Sequence, residues 1–151
     1  MSSHDVDTGP RSAQTMAEAA IRTGDDWVRD ARARYQQAAH LVAQRLELPF
    51  APAQGGGYVF VDLGAWLPQR APTADGDRHS HDAANHRDDP MLGLLVDLIH
   101  AGVSLSPGGA FGAAWGDWAR LCFMSVPEGE LGVAVERLNR FFAARPRLRA
   151  P

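Results

Sequence analysis

Residues 101–123, Ala-Gly-Val-Ser-Leu-Ser-Pro-Gly-Gly-Ala-Phe-Gly-Ala-Ala-Trp-Gly-Asp-Trp-Ala-Arg-Leu-Cys-Phe, decide the fold of this chain. Gly102 marks the end of a helix, because glycine takes the left-handed conformation at little cost. Val103 to Ser106 then reads as a short strand, stopped by Pro107-Gly108-Gly109. A Gly/Ala-rich loop follows, and Trp118 to Phe123 reads as a further strand of aromatic and apolar residues. Two strands this short need a sheet partner and a helical cover, so the flanking sequence must supply both.

It does so on both sides. Upstream, Gly55-Gly56-Gly57 leads into Tyr58-Val59-Phe60-Val61-Asp62-Leu63, a compact aromatic and β-branched run predicted as the first strand. A phosphate-cradling role for the triple glycine is disfavoured, since no helix follows and no GxxxxGK[ST] is present. Asp89-Pro90 predicts an N-cap followed by proline at the first helical position, with Met91, Leu92, Leu95, Leu98 and Ile99 on the buried side. Downstream, Ser125-Val126-Pro127-Glu128 reads as a capping box. It would open a last helix with Leu131, Val135, Leu138 and Phe142 on one face, closed by Pro146. Farther upstream, Ser12 is a candidate cap for a short helix carrying Met16, Ala19, Ala20 and Ile21, broken at Gly24. Asp25 or Asp26 restarts helix. Trp27, Ala31, Tyr35, Ala38, Val42 and Leu46 recur at steps of three or four, one apolar stripe running to about residue 46.

The order helix, strand, helix, strand, strand, helix predicts an α+β fold, a small mostly antiparallel sheet with helices packed on one face, preceded by a long helix. The expected organisation is a disordered stretch over 1–11, linker helices over 12–48, a small domain over 49–145 with a flexible insert at 68–90, and a tail over 146–151. Arg145, Arg147 and Arg149 read best as a solvated, frayed end.

Composition narrows the function classes. The net charge of -3 and the scattered arginines give no basic surface for nucleic acid. No run reaches the roughly 18 apolar residues that span a bilayer. The single cysteine, Cys122, excludes an internal disulfide and reads as a small buried apolar residue; with no export signal, a cytoplasmic chain is expected. His79, His81 and His86 with nearby aspartates offer metal-ligand chemistry, but their spacing matches no closed zinc pattern, and no metal is expected. All 15 Lys+Arg residues are arginine. The chain therefore has no side-chain amine with which to form a Schiff base.

Three segments carry a family resemblance, in order and at the right spacing. Gly57 to Leu63, Ala101 to Gly108 followed by Phe111-Gly112, and Arg120-Leu121-Cys122-Phe123 resemble the first small-domain strand, the "aGV.l.PG..FG" segment and the "RL.F" strand of class I/II aminotransferases, fold-type-I enzymes of pyridoxal phosphate. Residues 16–48 are similar to the long helix that joins that family's two domains. The resemblance implies the C-terminal small domain of an enzyme that moves an amino group between an amino acid and a 2-oxo acid. Arg120 matches the arginine that binds the substrate α-carboxylate, a role that suits a planar guanidinium able to donate two parallel hydrogen bonds. Phe111 is read equally as packing and as pocket lining. The cofactor lysine and its neighbours belong to the family's large domain, so no catalytic or cofactor-binding residue is assigned here. The isolated chain is expected to be inactive and to need a lysine-bearing large domain in cis or in trans, with a homodimer implied. The alternatives are a β-eliminating C–S lyase on the same scaffold and a non-catalytic binding module.

Overall fold

The computed structural model describes residues 10–69 and 89–149. The histidine-containing part of the 68–90 insert and nearly all of the stretch expected to be disordered lie outside the described residues. The chain divides into two compact units, Met1–Gln36 and Gln37–Pro151.

The first unit contains helix α1, Arg11–Thr23, and the opening turns of helix α2, Asp25–Arg45. The expected cap at Ser12 is not made. Pro10 stands at the N-cap without a side-chain hydrogen bond, and Ser12 lies within the first turn. None of the α1 side chains is buried. Gly24 separates the helices, and Asp25 and Asp26 occupy the first turn of α2, where the helix dipole favours negative charge.

In the second unit, four strands form one antiparallel sheet in the order β1-β2-β4-β3. They are β1, Phe50–Ala51; β2, Tyr58–Asp62; β3, Ser106–Pro107; and β4, Trp118–Cys122. β1 is an addition to the expected order: Phe50 pairs with Val61 and Ala51 with Phe60. Two residues carry too little pattern to read as a strand. β3 falls later than the sequence suggests. Val103 and Leu105 are buried without ladder pairing, and the pairing begins at Ser106, opposite Arg120.

Alternation divides the sheet. Val59, Val61, Ala119 and Leu121 point to one face and are buried; Tyr58, Phe60, Asp62, Trp118, Arg120 and Cys122 point to the other and are not. The first set joins a core with Ala38, Val42 and Leu46 of α2, Leu94, Leu95 and Leu98 of helix α3 (Pro90–His100), and Leu131, Val135, Leu138 and Phe142 of helix α4 (Glu128–Ala143). This is the expected α+β arrangement. Burial of the apolar face, rather than propensity, holds helices of this length in place.

The helix ends show which local signals act. Asp89 caps α3, its Oδ1 accepting from the Met91 amide at 2.9 Å, with Pro90 at the first helical position. At the other end Gly102, at φ +82°, donates to the Ile99 carbonyl, and Val103 donates to Leu98. These paired bonds form a Schellman motif. The buried side of α3 is Met91, Leu94, Leu95 and Leu98, so Leu94 replaces Leu92 and Ile99 is exposed. The capping box at Ser125 does not form. Pro127 is the N-cap of α4 and no side chain caps it. The stripe on α2 also divides: Ala38, Val42 and Leu46 are in the core, whereas Trp27 is 64% exposed.

The chain end is held rather than frayed. Arg145 pairs with Asp97 at 2.5 Å, Arg147 stacks over Trp66, and Arg149 pairs with Asp117 at 2.8 Å and donates to the Pro68 carbonyl. The Leu148 and Arg149 amides both donate to the Ala65 carbonyl.

Candidate functional site

The open face of the sheet carries one cation, Arg120, in the middle of β4. The register places it opposite Phe60 on β2 and Ser106 on β3. An arginine there must find partners, because strand alternation turns it away from the core while its stem remains half-buried. It finds rings. Its Cζ lies 4.3 Å from the ring centroid of Tyr58 and 4.3 Å from that of Phe111. Guanidinium groups favour such faces electrostatically, and the stacking fixes the plane of the group.

Its hydrogen bonding is incomplete. Nη2 reaches the Ser106 hydroxyl at 3.5 Å, the long limit of a hydrogen bond. Nε is buried without a partner. The ion pairs among the described residues engage Arg22, Arg29, Arg45, Arg145 and Arg149, but not Arg120. A half-buried cation with an unsatisfied donor and no acid is prepared to accept a carboxylate, which would supply charge and acceptors together.

Phe111 reaches the site through tight backbone geometry. It ends a 3-10 turn, Gly108–Phe111, that follows β3 directly. A Cβ on Gly108 would lie 2.3 Å from the Trp115 carbonyl oxygen and 2.4 Å from that of Trp118, so the two turns close only around glycine. Gly112 follows at φ +130°, a region that side chains resist, and a second turn, Ala113–Trp115, returns the chain to β4. The Pro107–Gly112 segment thus packs Phe111 against Arg120, giving that phenylalanine a place beside the site. Phe60, Phe111, Trp115 and Trp118 form a continuous series of ring contacts, with centroids 5.6 Å apart for Phe60–Phe111, 4.8 Å for Phe60–Trp115 and 5.4 Å for Trp115–Trp118.

Cys122, expected to be buried, is partly exposed on this same face, opposite Tyr58, because alternation puts it in phase with Arg120. No group of three His, Cys, Asp or Glu among the described residues could hold a metal, and the histidine cluster of the insert lies outside them. Tyr58, Ser106 and Trp115 did not stand out as site residues in the sequence. The cross-strand register brings them together, and a single sequence does not print it.

The model of the family "Aminotransferase class I and II" matches residues 5–138. The chain belongs to the class I and II aminotransferases. A search of curated protein sequences gives no match. Among solved structures, the chain is similar to a protein from Silicibacter pomeroyi assigned as an aminotransferase, with a TM-score of 0.68 and 21% identity over 91% of this chain and 32% of that one. It is also similar to an aromatic aminotransferase from Pyrococcus horikoshii (TM-score 0.58, 22% identity, 83% of this chain and 29% of that one). The aspartate aminotransferase of Thermus thermophilus with maleate gives a TM-score of 0.55 at 24% identity, over 76% of this chain and 25% of that one. Such identities speak to the fold. The chain spans about a quarter to a third of the length of these aminotransferases.

Membership in the class I and II aminotransferases implies pyridoxal phosphate in the full-length enzymes. This chain does not itself fit the cofactor's attachment, since it has no lysine. The open sheet face offers a guanidinium and aromatic rings, a site for an anion with apolar substance rather than for covalent capture of an aldehyde. Among the described residues, no helix is long and apolar enough to cross a membrane.

Proposed function

We propose that this chain is the C-terminal portion of an aminotransferase that uses pyridoxal phosphate, and that Arg120 holds the α-carboxylate of the amino acid or 2-oxo acid. The observation that carries this reading is the state of Arg120: stacked on Tyr58 and Phe111, with Nε unpartnered and no acid paired to it among the described residues. Its position in the Arg120-Leu121-Cys122-Phe123 motif supports the same role. A carboxylate accepting from the guanidinium edge is fixed in direction as well as held, and direction is what transfer at the adjacent carbon requires. The chemistry of transfer belongs to a lysine-bearing large domain, joined in cis or supplied in trans, within a homodimer of the family's kind. Alone, this chain is inactive.

The test is kinetic and uses the chain together with that lysine-bearing portion. Arg120→Gln should lower kcat/KM by roughly 100-fold, the loss of about 3 kcal/mol for a charge-assisted pair, with KM raised and kcat lowered. Arg120→Lys should recover only part of this, because an ammonium keeps the charge and loses the fork geometry. Unchanged kinetics would reject the carboxylate role. Release of ammonia without amino transfer would redirect the reading to β-elimination. For the chain alone, borohydride reduction with the cofactor should leave no phosphopyridoxyl-lysine on peptide mapping, and turnover by the chain alone would overturn the proposed division of labour.

A further inference from the structure

The surroundings of Arg120 bear on which carboxylates it takes, and this rests on the reading of Arg120 above. Tyr58 and Phe111, each 43% exposed, touch the guanidinium. Trp115 lies one ring farther out, stacked on Phe60 at 4.8 Å and meeting Trp118 at 5.4 Å, without contacting Arg120. The open face is thus one cation inside a half-exposed aromatic wall. The described polar neighbour of the guanidinium is the Ser106 hydroxyl.

Charge decides against a second anionic group. A dicarboxylate would need a second cation on this face. Arg149, which the fold brings to the segment before β4, is already bound to Asp117 and to the Pro68 carbonyl. The ionisable side chain two positions from Phe60 on the same face of β2 is Asp62, itself an acid. A small ligand would satisfy Arg120 and leave the rings in water. An arylalkyl carboxylate satisfies both: its carboxylate accepts from the guanidinium edge, and its ring packs edge-to-face or offset against Phe60, Phe111 and Trp115. We infer that this face is a combined subsite for carboxylates bearing an aromatic side chain, with Trp115 a specificity-determining residue.

The Arg120 Nε–H resonance of the nitrogen-labelled chain is a direct reporter, assigned by its loss in Arg120→Gln. It should move on titration with 3-phenylpropionate at roughly tenfold lower concentration than with propionate, the gain from burying and stacking one ring. Succinate should behave like propionate. Trp115→Ala should close most of the gap and leave the propionate titration in place, because Trp115 does not touch the guanidinium; a dispersed amide spectrum checks that the variant is folded. Equal titrations by 3-phenylpropionate and propionate would overturn the aromatic subsite and leave the carboxylate role standing. No movement with any acid would overturn the carboxylate role, and the subsite with it. Benzyl alcohol shifting the surrounding amides as strongly as 3-phenylpropionate would show an apolar patch indifferent to charge, and would also overturn the inference.

Discussion

Gly108 shows how much of the candidate site rests on a missing side chain. The Phe111 turn and the start of β4 approach it so closely that a Cβ would meet two carbonyl oxygens at 2.3 and 2.4 Å, and backbone cannot move aside as a side-chain end can. Gly108→Ala should therefore cost about 3 kcal/mol, the upper end of overpacking penalties, seen as a lower denaturation midpoint at unchanged slope. Gly55→Ala, where nothing lies within 4 Å, is the matched control and should change stability little. A Gly108→Ala chain as stable as its parent would mean that these turns open more readily than their geometry implies. Arg120 was legible in the sequence because it sits in an apolar strand within a patterned motif. Its partners were not, for a physical reason: Tyr58 and Ser106 reach it through strand register, across separations of 62 and 14 residues. Ser125 was misread because a proline two residues on displaced the cap.

At the scale of elements, α3 offers two opposite tests on one helix. Its start depends on a single side-chain bond, Asp89 Oδ1 to the Met91 amide. Asp89→Ala should lose about 1 kcal/mol, the usual value of an N-cap. Gly93 lies inside the same helix, exposed, with open space where a Cβ would stand. Gly93→Ala should gain about 0.5–1 kcal/mol by removing backbone freedom from the unfolded chain. Both are read from urea midpoints, and a double variant near the parent value would show that the two effects add. Helix ends with chemical signals, Asp89-Pro90 and Gly102, read correctly from sequence. Strand bounds read less well: β1 and β3 are two residues each, and ladder pairing rather than composition defines them. The exchange of Leu92 for Leu94 on the buried side has the same origin, since both fit a period of 3.6 and only packing chooses.

For the whole molecule, the order of helices and strands and the α+β arrangement followed from periodicity, but the division into two units did not. The α2 stripe looks continuous from Trp27 to Leu46, yet only its later part enters the core. Sequence periodicity marks an apolar face without saying what covers it. This difference has a measurable consequence. α1 has thirteen residues, no buried side chain, and the surface pair Glu18–Arg22 at 2.8 Å, worth a few tenths of a kcal/mol. Isolated helices of this length are marginal in water. Amides of residues 15–23 should exchange with an opening free energy near zero, while those of Val59, Val61, Ala119 and Leu121, buried in the sheet, should open only with global unfolding. Hydrogen exchange read by mass spectrometry at two protein concentrations separates the causes. Fast exchange of α1 at both concentrations supports a core confined to the second unit. Protection that grows with concentration would show that exposed Met16, Ile21 and Trp27 are covered by another molecule, and protection equal to that of β4 at every concentration would show that the first unit is stabilised within the chain itself.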